Sequence, residues 1–175
     1  MIRGISIFLV MTLAMAAVPA LSFAEEPIKP VLHVDLPRFM GRWYVVAAIP
    51  TRFEKNAYKA VQTYSLQGDN QVTTSLNFRN GAPDGPEKSV SAPATVQPGT
   101  GNAVWAVKLF WLMKAQYKVA YLADDYSQMI VARDARDYVW VMSRTPYPSQ
   151  GDYDALIARV GAMGYSTAKI RRIPQ

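Results

Sequence analysis

Hydrophobic and polar residues alternate with a period of two along much of this chain, and clusters of turn formers break the alternation. In Ala103–Trp111, Trp105, Val107, Leu109 and Trp111 oppose a face carrying Lys108. In Gln116–Leu122, Tyr117, Val119 and Tyr121 oppose Gln116 and Lys118, and in Gln71–Phe78, Val72, Leu76 and Phe78 oppose Thr73, Ser75 and Asn77. A period of two places one face of each segment against a core and the other in water. The β-prone runs are Arg42–Ile49, Ala57–Leu66, Gln71–Phe78, Lys88–Val96, Ala103–Phe110, Gln116–Leu122, Gln128–Arg133 and Tyr138–Arg144. Between them stand Gly68-Asp69-Asn70, Asn80-Gly81, the stretch Pro98–Asn102 and Ala135-Arg136-Asp137. Turn chemistry recurring about every 8–12 residues marks an antiparallel sandwich or barrel rather than alternating βα units.

Two segments depart from this rhythm. Asp35–Gly41 predicts one short helical turn, with Asp35 as cap, Pro37 in the first turn and Gly41 at a left-handed exit. Ser149-Gln150-Gly151-Asp152 resembles a capping box, and Tyr153, Leu156, Ile157 and Val160 follow at helical spacing, with Gly164 placed to end the helix. The expected fold is all-β: an eight-stranded antiparallel up-and-down barrel with one C-terminal amphipathic helix packed on its wall. Tyr165–Ile173 is long enough for a short ninth strand, and Glu25–Val34, with Pro27 and Pro30, reads as an extended arm.

Composition narrows the chemistry. The 175 residues include 19 Lys and Arg, 13 Asp and Glu, one His and no Cys, for a formal charge of +6. Without cysteine there is no disulfide, thiolate metal site, cysteine nucleophile or lipidated N-terminal Cys. With one histidine there is no multi-His metal site, and His33 lies in the arm before the first strand, so neither a metal nor another cofactor is expected. No G-x-S-x-G elbow is present to activate a serine. Adjacent Asp124 and Asp125 read as turn formers.

Residues 1–24 carry a single charge, Arg3, then an apolar run and a small-residue end at Ser22-Phe23-Ala24. The pattern is that of a cleaved signal peptide, leaving a barrel domain at 25–175 with a charge of +5 once Arg3 is gone. A soluble periplasmic or secreted protein is the expected product. The basic residues are scattered and not interleaved with stacking aromatics, so nucleic acid is not an expected partner. Peripheral attraction to an anionic membrane surface fits the charge equally with simple solubility.

Three motifs then carry a family resemblance. Gly41-Arg42-Trp43-Tyr44 after a helical turn, the stretch Tyr117–Tyr126 ending in Asp125-Tyr126, and Asp137–Pro146 ending in Arg144-Thr145-Pro146 resemble the three lipocalin signatures in order and spacing. The YVWVMSRTP form resembles the bacterial, outer-membrane branch. The resemblance implies that Arg144 lies across Trp43 at a closed barrel end and that Gly41, Asp125 and Tyr126 serve structure. It also implies a ligand-carrying interior, for which Trp105, Val107, Leu109, Tyr117, Val119, Tyr121, Trp140 and Met142 are the candidate wall. An eight-stranded barrel holds either packed side chains or one small ligand. An apolar wall with a few tyrosine hydroxyls suits a fatty acid or lysophospholipid. Bacterial members are often anchored through a cysteine that this chain lacks, and Phe110–Ala115 is short for the family's equivalent loop. The alternatives are a lipid-modifying enzyme on the same barrel, and an envelope interaction module using exposed aromatics such as Trp111 and Tyr147. Alternation leaves open whether the barrel forms a homodimer.

Overall fold

A computed structural model describes residues 26–109 and 113–175, with side chains described outside 109–114. The signal-peptide reading of 1–24 and the exposed position assigned to Trp111 lie outside the described residues.

The chain opens with the arm and a one-turn helix, α1 (Leu36–Phe39). The Asp35 carboxylate accepts from the Arg38 backbone N–H at 3.2 Å, and Leu36 and Phe39 point into the core. Nine strands follow: β1 (Gly41–Ile49), β2 (Ala57–Leu66), β3 (Gln71–Asn80), β4 (Glu87–Val96), β5 (Val104–Leu109), β6 (Met113–Leu122), β7 (Gln128–Ala132), β8 (Val139–Ser143) and β9 (Arg171–Arg172). Consecutive strands from β2 to β8 pair antiparallel, β8 pairs with β1, and β1 pairs with β2. The sheet therefore closes on itself, with no free edge along the main strands.

The closure is shared. Gly41–Tyr44 of β1 pairs with Val61–Tyr64 of β2, while Ala47 and Ala48 pair with β9. The C-terminal segment fills the gap where β1 and β2 diverge: Ile173 N–H donates to the Val46 carbonyl at 3.0 Å and Lys59 N–H to the Pro174 carbonyl at 2.7 Å. Ile173 is buried within the interior cluster.

Helix α2 (Gln150–Ala162) is capped by the Ser149 hydroxyl, which accepts from the Asp152 N–H at 3.1 Å. It lays Leu156 and Val160 against Val46, Ile130, Val139 and Val141 on the outside of the wall. Gly164, at φ +88°, ends it, and a Cβ there would stand 2.7 Å from Arg136 Nε. Left-handed backbone and close approach both exclude a larger residue.

Two expectations about β6 are corrected. The strand begins at Met113 rather than Gln116, with Leu109 opposite Met113. More consequentially, the β6–β7 register shifts between Val119 and Tyr121. A bulge adds one residue to one strand and reverses the alternation beyond it. Tyr121 therefore leaves the interior face: it packs with the outer cluster, under the Arg159 guanidinium at 4.3 Å, and Leu122 takes the inward place. Lys118 does face outward, yet it is not solvated. The arm covers it, and its ammonium donates to the Ile28 carbonyl at 3.0 Å and to both Asp134 oxygens at 2.8 Å. Burial opposes ionisation of Asp134, but donors from Lys118, Gln116 and the Ile28 N–H outweigh it, and its pKa falls below the usual carboxylate value.

Candidate ligand site

The barrel interior is closed at the α1 end by aromatic packing. Phe39 lies 5.6 Å from Trp43, 5.2 Å from Tyr64 and 5.3 Å from Trp105, centroid to centroid, and all four rings are buried. The Trp43 indole N–H donates to the Phe39 carbonyl at 2.9 Å. Arg144 lies over the Trp43 ring at 3.8 Å and donates to the carbonyls of Arg42 (2.8 Å), Arg38 (2.8 Å) and Phe39 (3.1 Å). These carbonyls converge where the short helix passes into β1, and a planar guanidinium fork serves several at once. Burial lowers the Arg144 pKa, and the guanidinium keeps its charge near neutrality.

Neighbouring motif residues brace this end. Gly41 sits at φ +88°, which favours glycine. The Asp35 N–H donates to the Tyr126 hydroxyl at 2.8 Å, and Asp125 accepts from the Ser127 N–H at 2.9 Å in an Asx turn. The hydrogen bond from Ser127 lowers the Asp125 pKa.

Above this floor the interior strand faces present their side chains in a stack. Trp105 stacks on Tyr117 at 5.4 Å and Tyr117 on Trp140 at 6.3 Å, a column of rings leading from the closed end toward the β1–β2 connection. Val107, Val119 and Met142 belong to the same interior cluster. The Tyr64 and Tyr117 hydroxyls hydrogen-bond to each other, and Tyr64 also reaches the Met142 sulfur at 3.8 Å. Burial pushes both phenols well above their ordinary pKa, so both stay neutral donors. The candidate wall residues Trp105, Val107, Tyr117, Val119, Trp140 and Met142 are thus brought together. Tyr121 is not, and the Leu109 side chain lies outside the described ones.

Toward the open end the same cluster changes character. Ala48, Ala57 and Ala60 are its contributions there from β1 and β2, and Phe78 its contribution from β3. Each alanine offers one methyl beside the Phe78 ring. At this mouth stands a carboxyl that strand alternation alone does not find. Glu54, in the β1–β2 connection, accepts the Trp140 indole N–H at 2.9 Å and the Thr51 hydroxyl at 2.9 Å. Burial raises its pKa, against the lowering effect of those two donors. The signal was present as Thr51-x-x-Glu54, the spacing by which a turn bonds its own side chains, but it lies in a loop outside the periodic pattern. With both oxygens engaged, Glu54 ties the loop to the aromatic column.

Two concavities lie on the outside. One, of about 540 Å³, crosses the outer wall among Arg42, Tyr44, Lys59, Arg79, Glu87 and Tyr147. The other, of about 570 Å³, lies at the rim among Thr51, Arg52, Lys55, Tyr58, Lys169 and Arg171.

A family model described as a lipocalin-like domain matches residues 34–175. The chain belongs to the lipocalin family. Among similar lipocalins are temperature-induced lipocalin-1 of Arabidopsis thaliana, 27% identical with 86% of this chain and 84% of that protein covered, and the outer membrane lipoprotein Blc of Vibrio cholerae, 26% identical over 86% and 88%. Blc of Citrobacter freundii is 30% identical over 82% and 80%, so the lipocalin resembles the Blc branch. Insecticyanin from the tobacco hornworm Manduca sexta shares the fold, with a TM-score of 0.67, 14% identity and 86% and 85% of the two chains covered. The siderocalin Ex-FABP does so with a TM-score of 0.61, 16% identity, and 79% and 95% coverage.

Proposed function

We propose that this lipocalin carries small hydrophobic or amphiphilic molecules at the cell envelope, with fatty acids or lysophospholipids as its ligands. The observation that carries the reading is the contrast along the bore: a floor of packed rings sealed by Arg144, and a mouth where Ala48, Ala57 and Ala60 stand with Phe78, framed by Trp140 and Glu54. An acyl chain entering there replaces water against methyls and ring faces, at roughly 0.8 kcal/mol per buried methylene. The cost of ordering ligand and loops offsets part of this gain. The envelope location draws on the likeness to Blc, named an outer membrane lipoprotein in its own organisms, and on the signal-like residues 1–24. In this chain the absence of cysteine favours a soluble carrier. Among the described residues of the bore no nucleophile is paired with a base, which favours carriage over catalysis: the hydroxyls are those of neutral tyrosines and of Thr74, which donates to the Ala92 carbonyl, and the carboxyl is held by two donors. Organic extraction of protein purified from native envelopes, followed by mass spectrometry, tests the reading. One single-chain amphiphile per barrel is expected. An empty barrel that also fails to displace a fluorescent fatty acid contradicts it.

A further inference from the structure

We propose that the rim cleft formed by Arg52, Lys55, Lys169 and Arg171 binds the anionic headgroup, phosphate or carboxylate, of an amphiphile whose chain enters the bore beside Trp140. The inference rests on the carrier reading and adds a headgroup class and a place for it.

The four cations come from opposite ends of the domain. Arg52 and Lys55 lie in the β1–β2 connection, and the C-terminal segment through β9 delivers Lys169 and Arg171 beside them. Gathering like charges opposes folding unless something of opposite sign meets them. Yet no acidic side chain lines the cleft, and none of the four forms an ion pair among the described residues. The acid nearest in sequence, Glu54, is turned inward onto Thr51 and Trp140.

Part of the cluster is also positioned. Arg171 donates to the Lys55 and Ala57 carbonyls and lies over the Tyr58 ring at 5.3 Å. Arg52 lies over the Phe53 ring at 4.7 Å. These contacts fix the connection to the C-terminal segment, leaving Arg52, Lys55 and Lys169 exposed at the cleft. A volume of about 570 Å³ accommodates a phosphate with its glycerol. The path inward is short in bonds: Thr51 lines the cleft and donates to Glu54, which accepts from Trp140, which stacks on Tyr117 inside the barrel. The headgroup then sits at the rim and the chain runs along the column.

The test compares oleoyl-lysophosphatidylglycerol, oleate and neutral monooleoylglycerol, one chain with three heads, together with inorganic phosphate alone. Binding is measured at low and high salt to the wild-type protein and to Arg52→Gln/Lys169→Gln, whose replaced side chains are both exposed. The expected result is anionic binding at least about tenfold tighter than neutral at low salt. That preference falls with salt and is lost in the double variant, while monooleoylglycerol affinity stays unchanged. Equal binding of anionic and neutral ligands by the wild type overturns the headgroup site and leaves the carrier reading intact. So does an anionic preference that survives in the double variant. Inorganic phosphate competing as well as the lysophospholipid overturns the amphiphile assignment in favour of a small-anion site. Failure of all three amphiphiles to bind the wild type overturns the carrier reading, and this inference with it.

Discussion

Replacing Lys118 by Met removes the cation that joins the N-terminal arm to the barrel while keeping the length of the aliphatic stem. Three hydrogen bonds disappear: one to the Ile28 carbonyl and two to the Asp134 carboxylate. Deleting one member of a fully buried ion pair costs about 3–5 kcal/mol. Here Asp134 is a third exposed and keeps donors from the Gln116 amide at 2.9 Å and the Ile28 N–H at 2.8 Å, so the smaller penalty of an unmet acceptor governs. The expected loss is about 2 kcal/mol, or about 4–8 °C in Tm for a domain of this size, read by urea and thermal unfolding. The sign of its pH dependence follows from Asp134. Its folded pKa is depressed, so its contribution is complete above the unfolded value and is lost as pH falls through the lower folded value. The gap between wild type and Lys118→Met therefore narrows below about pH 4. A loss under about 0.5 kcal/mol at pH 7, or a gap that stays constant into acid, refutes the reasoning.

Other outcomes follow from the same geometry. Arg144→Ala is expected to cost about 2–4 kcal/mol, combining the contact over Trp43 with donors lost to the carbonyls of Arg38, Phe39, Arg42 and Tyr126. Arg144→Lys should recover less than half in denaturant melts, because a point charge does not reproduce the fork. Gly41→Ala places a Cβ at φ +88° and should lower stability by about 1–2 kcal/mol. Glu54, whose folded pKa is raised, contributes stability that is fully present below the unfolded carboxylate value and lost as pH rises through the folded value. Glu54→Gln should therefore flatten the wild-type decline in Tm on the neutral side of that range, and an unchanged slope counts against burial as the cause.

The strands were legible because one solvated face and one buried face write themselves as alternation, and α2 because Ser149 and the stripe through Val160 announce a helix. The closed end was legible through the motifs that hold Trp43, Arg144 and Tyr126. What escaped the pattern was decided by events that alternation does not encode. The extra residue near Ala120 moved Tyr121 to the outer wall. Lys118 reads as a surface cation, and only the docking of Ile28 and Asp134, 90 and 16 residues away, makes it internal. Basic residues scattered in sequence become a cluster at the rim because β9 returns to β1. Glu54 belongs to a loop whose direction is set by its two donors.

The central claim is that the bore holds an acyl chain. Affinities of saturated fatty acids from eight to fourteen carbons, measured by displacement of one fluorescent fatty acid from the purified protein, test it most directly. Burial along the Trp105–Tyr117–Trp140 column predicts one ligand per barrel and affinity rising by up to about fourfold per methylene, the equivalent of roughly 0.8 kcal/mol. Affinity independent of chain length, or no displacement at any length, contradicts it.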